Sequence, residues 1–271
     1  MKVPFINLKA QYASIRDEIG QSLDRVLESQ QFIFGTQVAE FEADMCRFSG
    51  AKHAIACASG TDALLLSLIA LNVQPEDEII TTPFSFFATA GMIAWLHAKP
   101  VFVDIDAGTF NIKTDQVASK ITLRTKAIIA VHLFGQCCQV ENLQKLDVPI
   151  IEDACQSIGA QRNGKQAGTF GNTGCFSFFP TKNLGGYGDG GMITTNDSAI
   201  ASILKQLRTH GQSAEPYIHQ RIGTNSRLDE LQAAVLRTKF PYLDRWNDQR
   251  NRNARYYLET LKDLPIELPR I

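Results

Sequence analysis

From residue 8 to residue 27 the apolar positions Tyr12, Ile15, Ile19, Leu23, Val26 and Leu27 recur mostly at steps of three and four, the period of one helix face. Val38, Phe41, Met45 and Phe48 repeat the pattern and stop at Gly50, a residue suited to a helix C-cap. Beyond Gly50 the period changes. Residues 53–58 form a short apolar run, and Ser59-Gly60-Thr61-Asp62 opens the helical stretch ALLLSLIAL with Ser or Thr as its N-cap. The same order of strand, tight turn and helix recurs along the chain. DEIITT leads into the apolar segment 84–95, PVFVDI precedes a helical stretch from Thr114, TKAIIAV is followed by 140–146, and VPIIED by ACQSIGA. MITTN reads as a further strand, Asp197 begins an amphipathic helix through Leu207, and HGQSAEPYIHQRIGTNSR is a long polar loop. Residues 227–261 read as largely helical, interrupted at Pro241.

Strands that alternate with helices and read as continuous Val/Ile runs predict an α/β fold with a parallel sheet covered on both faces. In such sheets ligands bind beyond the carboxyl ends of the strands, and Ser59, Asp153 and Lys182 each sit just past such an end. The 271 residues suffice for one large domain or two small ones. A hydrophobic fraction of 44% with 20% charged residues is that of an ordinary globular protein, and excludes disorder. The formal net charge of −1, with no basic run, argues against nucleic acid or an anionic membrane as partner, so the expected ligand is small. No apolar run is long enough to cross a bilayer and the N-terminus lacks the pattern of a signal peptide, which predicts a cytoplasmic protein. The six cysteines lie mostly in or beside apolar runs, without C-x-x-C pairs or interleaved histidines; they read as buried free thiols, with no metal site.

The densest chemistry lies in CFSFFPTKNLGGYGDGG, residues 175–191, where an apolar run stops at Pro180 and delivers Lys182 onto a glycine-rich loop. Glycines let a bulky ligand approach the main chain, so their density predicts a site beside the lysine. Pyridoxal phosphate chemistry needs an amine, an acid for the pyridine nitrogen, an anion cup for the phosphate and a flat partner for the ring. Lys182 supplies the amine, and a partly desolvated site favours its neutral, nucleophilic form. Asp153 can pair with the ring nitrogen; its other reading is the cap of a helix from Ala154. Gln156 can reach the ring hydroxyl. Ser59, Gly60 and Thr61 offer hydroxyls, free N–H groups and a helix N-terminus, Ser177 adds a hydroxyl, and a ring of the Ser85-Phe86-Phe87 run can cover the cofactor.

Five blocks carry a family resemblance: Ser59-Gly60-Thr61; Pro83-x-Ser85-Phe86-x-Ala88-Thr89; Glu152-Asp153-x-x-Gln156; Ser177-Phe178-x-Pro180-x-Lys182-x-Leu184-Gly185; and Gly223-x-Asn225-x-Arg227. In order and spacing the chain resembles the DegT/DnrJ family of pyridoxal-phosphate aminotransferases acting on keto groups of nucleotide-linked sugars. The resemblance implies fold type I, a large α/β domain with a mostly parallel seven-stranded sheet, working as a homodimer with shared active sites. It implies Lys182 as the Schiff-base lysine and proton shuttle, Asp153 as the pyridine partner, Gln156 as the contact to the ring hydroxyl and Phe86 as the stacking ring. Gly60, Thr61 and Ser177 match phosphate contacts, and Asn225 matches a phosphate contact made across the dimer. L-glutamate is the implied amino donor. The loop GGYGDGG, with His210-Gly211-Gln212 and residues 225–229, is most similar to members acting on UDP-linked 3-keto, N-acetylated hexuronic acids in surface-polysaccharide synthesis, where Arg227 would hold the sugar carboxylate. Members acting on 4-keto-6-deoxy sugars are the alternative for the substrate. Arg227 is equally suited to the glutamate carboxylate or to a structural ion pair. Family members continue into a small C-terminal domain beyond the position of Ile271. The resulting expectation is a large domain over 1–240 and the truncated start of the small one over 241–271, with a non-catalytic dimerising homologue as the second functional reading. Lysine at 182 argues against the dehydratase branch, which has histidine there.

Overall fold

The computed structural model describes residues 6–270. Its strands are β1 His53–Cys57, β2 Glu78–Thr81, β3 Lys99–Phe102, β4 Thr125–Val131, β5 Ile150–Asp153, β6 Gln161–Arg162, β7 Lys165–Gln166, β8 Thr173–Ser177 and β9 Gly191–Thr195. Its helices are α1 Leu8–Ser14, α2 Arg16–Ser29, α3 Thr36–Ser49, α4 Gly60–Ala70, α5 Phe87–Trp95, α6 Thr114–Val117, α7 Val140–Leu143, α8 Ser198–Leu207, α9 Glu230–Lys239 and α10 Leu243–Leu261. Seven strands form one sheet in the order β1-β9-β8-β5-β4-β2-β3, and β6 and β7 make a separate hairpin. Every pairing from β8 through β3 is parallel, whereas β9 runs antiparallel to both β1 and β8. The mostly parallel seven-stranded sheet of fold type I is thus present.

Alternate residues of each strand enter different cores, as the two-residue period of a strand requires. Ile55, Ile151, Cys175 and Ile193 pack with Leu64, Leu66 and Leu68 of α4 and Leu204 of α8 on one face. Ala54, Ala56, Phe176 and Met192 pack with Phe41 and Met45 of α3 and Leu236 of α9 on the other. α3 ends as expected, at Gly50 with φ 77°, and its N-terminus is capped from a distance. The buried Glu230 carboxylate accepts the N–H groups of Gln37 at 2.8 Å and Val38 at 2.9 Å.

Two expectations need correction. The segment ACQSIGA is a run of turns, not a helix. Its first N–H, of Ala154, is taken by Cys175 O on the neighbouring strand, and Gly159 bends the chain at φ +85° before the β6–β7 hairpin. The N-terminal apolar period belongs to two helices, divided at Ile15, whose φ of −136° breaks the helix. Ile15 is buried there with Ile19 and Val235, so burial of this residue outweighs a continuous helix.

Candidate active site

The sheet brings the carboxyl ends of β1, β4, β5 and β8 to one edge, and there a cavity of about 390 Å³ opens, within the range of small-molecule sites. Of the residues singled out from sequence, Ser59, Gly60, Thr61, Ser85, Phe86, Asp153, Gln156, Ser177 and Lys182 all line it. Asn225 and Arg227 do not. Asn225 is exposed and bridges to Thr209, and Arg227 is half-buried; Ser226 between them accepts the N–H of Ala58 at 3.1 Å, just before the anion cup.

The cup forms because Ser59 leaves the strand extended and caps α4, its Oγ accepting the Asp62 N–H at 3.0 Å. The next N–H in order, of Ala63, goes to Ser59 O at 2.9 Å. The N–H groups of Gly60 and Thr61 precede these at the positive end of the helix dipole, an arrangement suited to an anion. Gly60 is needed for the close approach to β8. A Cβ at this position would meet Ser177 Cβ at 2.7 Å and Cys155 Sγ at 2.8 Å.

Asp153 ends β5 and is 6% exposed. Thr89 donates to its Oδ2 at 2.7 Å and is itself bonded to Ser85 Oγ at 2.9 Å; Cys155 N–H donates to Oδ1 at 3.3 Å. With no helix at Ala154, the capping alternative for Asp153 falls away, and the carboxylate is fixed from behind for a donor in the cavity. Gln156 spends its Oε1 on the Phe134 N–H at 3.0 Å, which turns its amide NH₂ outward. Phe86 is the N-cap residue of α5 and is 69% exposed, so its ring is free to cover a flat ligand. Lys182 sits in the turn after β8, its N–H bonded to Phe179 O at 2.8 Å, and its amine forms no salt bridge among the described residues.

The glycines of the lysine loop have a different task from the one expected. None of Gly185, Gly186, Gly188, Gly190 and Gly191 lines the cavity. They let the loop pack on the protein itself. A Cβ at Gly185 would lie 2.3 Å from Pro180 O, and at Gly186 or Gly188 2.9 Å from the Gln232 amide.

Sequence reasoning missed His132, Thr89, Cys155 and Asp189. His132 follows β4 and lines the cavity; like Asp153, the last residue of β5, it stands at a strand's carboxyl end, and that rule would have found it. Its Nδ1 accepts the Cys138 N–H at 3.0 Å, so Nε2 carries the proton that meets Glu152 Oε2 at 2.7 Å. The Glu152 carboxylate, fully buried, also accepts N–H groups of Gly168, Phe170 and Gly171 at 2.6–2.8 Å. Such a carboxylate is satisfied and structural, and it braces the strand that ends in Asp153. Thr89 lies within the Pro83–Thr89 block, which assigned it no role, and Asp189 has no signal in a single sequence beyond its neighbours. Burial and the Asp153 carboxylate push the Cys155 thiol well up, which keeps it protonated. All six cysteines are free, and no cluster of potential metal ligands occurs among the described residues. No helix among them is long and apolar enough to cross a membrane.

The donor set is that of a pyridoxal phosphate site: an anion cup, an anchored carboxylate, an amide, an open aromatic face and an amine around one cavity. Comparison with known proteins leads the same way. A "Pleiotropic regulatory protein" of Geobacillus stearothermophilus is 51% identical, the match covering 97% of this chain and 72% of the relative. A UDP-N-acetyl-3-dehydro-alpha-D-glucosamine 3-aminotransferase of Acidithiobacillus ferrooxidans is 46% identical, over 98% of this chain and 73% of the relative. A UDP-2-acetamido-2-deoxy-3-oxo-D-glucuronate aminotransferase of Pseudomonas aeruginosa is 45% identical, over 98% and 75%. The crystal structure of an aminotransferase of this type from Brucella abortus superimposes with a TM-score of 0.96 at 39% identity, covering 100% of this chain and 75% of that one. Residues 13–270 match the DegT/DnrJ/EryC1/StrS aminotransferase family, and the chain belongs to that family.

Proposed function

We propose that the chain is a pyridoxal-phosphate-dependent aminotransferase that moves the amino group of L-glutamate to the 3-keto group of a UDP-linked 2-acetamido hexuronic acid, in surface-polysaccharide synthesis. The observation that carries this reading is the convergence on one cavity of the Lys182 amine, the anchored Asp153 carboxylate and the open N–H groups at Gly60 and Thr61. When bound, the cofactor supplies an electron sink for the pair left as the substrate C–H bond breaks. Asp153 keeps a proton on the ring nitrogen, Phe86 and Gln156 orient the ring, and Ser177 with the α4 N-terminus holds the phosphate. Lys182 takes the proton from the substrate carbon and returns it on the other side of the transfer. Two of the relatives named above act at position 3 of a UDP-linked acetamido sugar, which favours a 3-keto acceptor over the 4-keto-6-deoxy alternative.

A homodimer in the cytoplasm completes the proposal. Asn225 is exposed on a loop away from its own cavity, as a residue serving the partner's phosphate would be. Six free thiols suit a reducing compartment. We place the end of the cofactor-binding domain at residue 240, a boundary supported by α10, which buries only Leu243.

Lys182→Ala is expected to remove the protein's visible cofactor absorbance and all transamination; a mutant that keeps both refutes the assignment. A wild-type chain that takes up no cofactor, and so stays colourless before and after glutamate, would favour the non-catalytic reading. Arg227→Ala sorts the substrates. Loss of a bidentate carboxylate contact costs about 2 kcal/mol, so kcat/KM for a uronate acceptor should fall about 30-fold while a neutral acceptor changes little. Equal losses on both count against the uronate.

A further inference from the structure

The parallel ladder between β5 and β8 ends at the pair Asp153–Cys175, so the two chains that carry the acid and the amine leave the sheet before Lys182 is reached. One side chain spans them again. Asn247, in the second turn of α10 and outside the cavity, accepts a hydrogen bond from Asn183 Nδ2 at 2.7 Å and donates its own Nδ2 to Ile158 O at 3.1 Å. Asn183 is the neighbour of Lys182, and Ile158 lies two residues beyond Gln156. The approach is close enough to exclude a side chain at Gly159, where a Cβ would fall 2.6 Å from Asn247 Nδ2. α9 holds the next residues of the same loop: Lys239 Nζ donates to Gly185 O at 2.6 Å, and Gln232 Oε1 accepts the Tyr187 N–H at 2.7 Å.

We propose that Asn247 is a positioning residue of the transamination, fixing the Lys182 loop against the Asp153–Gln156 loop through its two amide bonds; the proposal rests on the roles given to Lys182 and Asp153 above. The physical reason is the double duty of the lysine. Its amine has to reach one carbon to take a proton and another to return it, from a single anchored loop. Displacements of about 1 Å in such a site cost up to about 10²-fold in rate. Both amide atoms of Asn247 are engaged, so Asn247→Asp keeps the acceptor for Asn183 but sets a carboxylate oxygen against Ile158 O. It should behave like Asn247→Ala.

The test compares wild type, N247A, N247D, N183A and the double mutant N183A/N247A. Positioning predicts that kcat falls about tenfold in N247A and N247D, with the KM values for glutamate and acceptor within about twofold. The pH midpoint of the cofactor's visible absorbance should shift, and absorbance titration of the cofactor-free chain should give a severalfold weaker Kd for pyridoxal phosphate. N183A should give part of the loss, and the double mutant should be no worse than N247A, because the contacts are shared. A wild type that takes up no pyridoxal phosphate overturns the functional reading and this one with it. A loaded wild type beside variants with unaltered kcat and midpoint, or with losses in Tm alone, overturns this inference and leaves the function standing.

Discussion

The two walls of the cavity are built by different means. The helix cap of the anion cup is local: Ser59 caps the helix three residues ahead of it, at Asp62. The lysine wall is held by side chains far along the chain, with separations of 64 residues for Asn183–Asn247, 45 for Tyr187–Gln232 and 54 for Gly185–Lys239. The cup's helix cap forms wherever β1 and α4 fold, while Ser177 of β8 and the Ser226 bond to Ala58 join it from farther along the chain. The hold on the lysine wall exists only once α9 and α10 have docked, so the amine proposed as catalytic depends on the tertiary structure more than the cap of the proposed phosphate site does.

The sharpest way to test this contrast is to crowd each wall equally. Gly185→Ala would set a Cβ 2.3 Å from a backbone carbonyl, that of Pro180, which cannot yield without moving the Lys182 turn. A cost of about 3 kcal/mol is expected, with loss of the cofactor's visible absorbance. Gly60→Ala meets Cys155 Sγ at 2.8 Å, which can turn aside, and Ser177 Cβ at 2.7 Å, which moves only with the β8 backbone but leaves more room than a carbonyl at 2.3 Å. About 1 kcal/mol is expected there, with weaker cofactor binding but a normal spectrum once loaded. Thermal unfolding and absorbance titration of both variants check the order, and a reversed order would mean that the lysine loop is the more adaptable wall.

The same difference explains what was legible in the sequence. All but the last of the strand-turn-helix repeats, the caps at Ser59 and Asp197 and the stop at Gly50 are local events, and each appears where the pattern put it. Asp153 and Lys182 are legible as residues at or beyond the carboxyl ends of strands, Asp153 being the last residue of β5. ACQSIGA was misread because its backbone bonds to a neighbouring strand, a partner that no local pattern contains. The glycines after Lys182 were rightly seen as marking close approach, but what approaches is Gln232 and Pro180, and periodicity cannot name a partner across the fold. Thr89, which fixes Asp153 from 64 residues away, was inside a quoted motif and carried no assigned role for the same reason.

The last test concerns the charge of the lysine wall. Lys239 is 1% exposed, its amine 4.2 Å from the Tyr187 ring centre, and burial pushes its pKa down to about 8 from the ordinary lysine value of 10.5. Between those values the unfolded chain holds a proton that the folded chain has released. Stability therefore rises with pH across that window, by no more than about 1.4 kcal/mol per pH unit from this group. The thiols of Cys57, Cys155 and Cys175 act in the opposite sense. Burial raises their pKa values, so the folded chain keeps protons that an unfolded thiol loses above about pH 9, and stability falls as pH rises. Burial also raises the Tyr187 hydroxyl, which adds to the fall at the highest pH. Only a difference isolates the lysine. The gap in unfolding free energy between wild type and Lys239→Met should shift in favour of wild type as pH rises from about 8 to 10.5, because only wild type sheds the cost of a buried charge. A gap that stays flat across the window would mean that Gly185 O and the Tyr187 ring hold the ammonium charged in the fold, so that the lysine wall is fastened by charge as well as by packing.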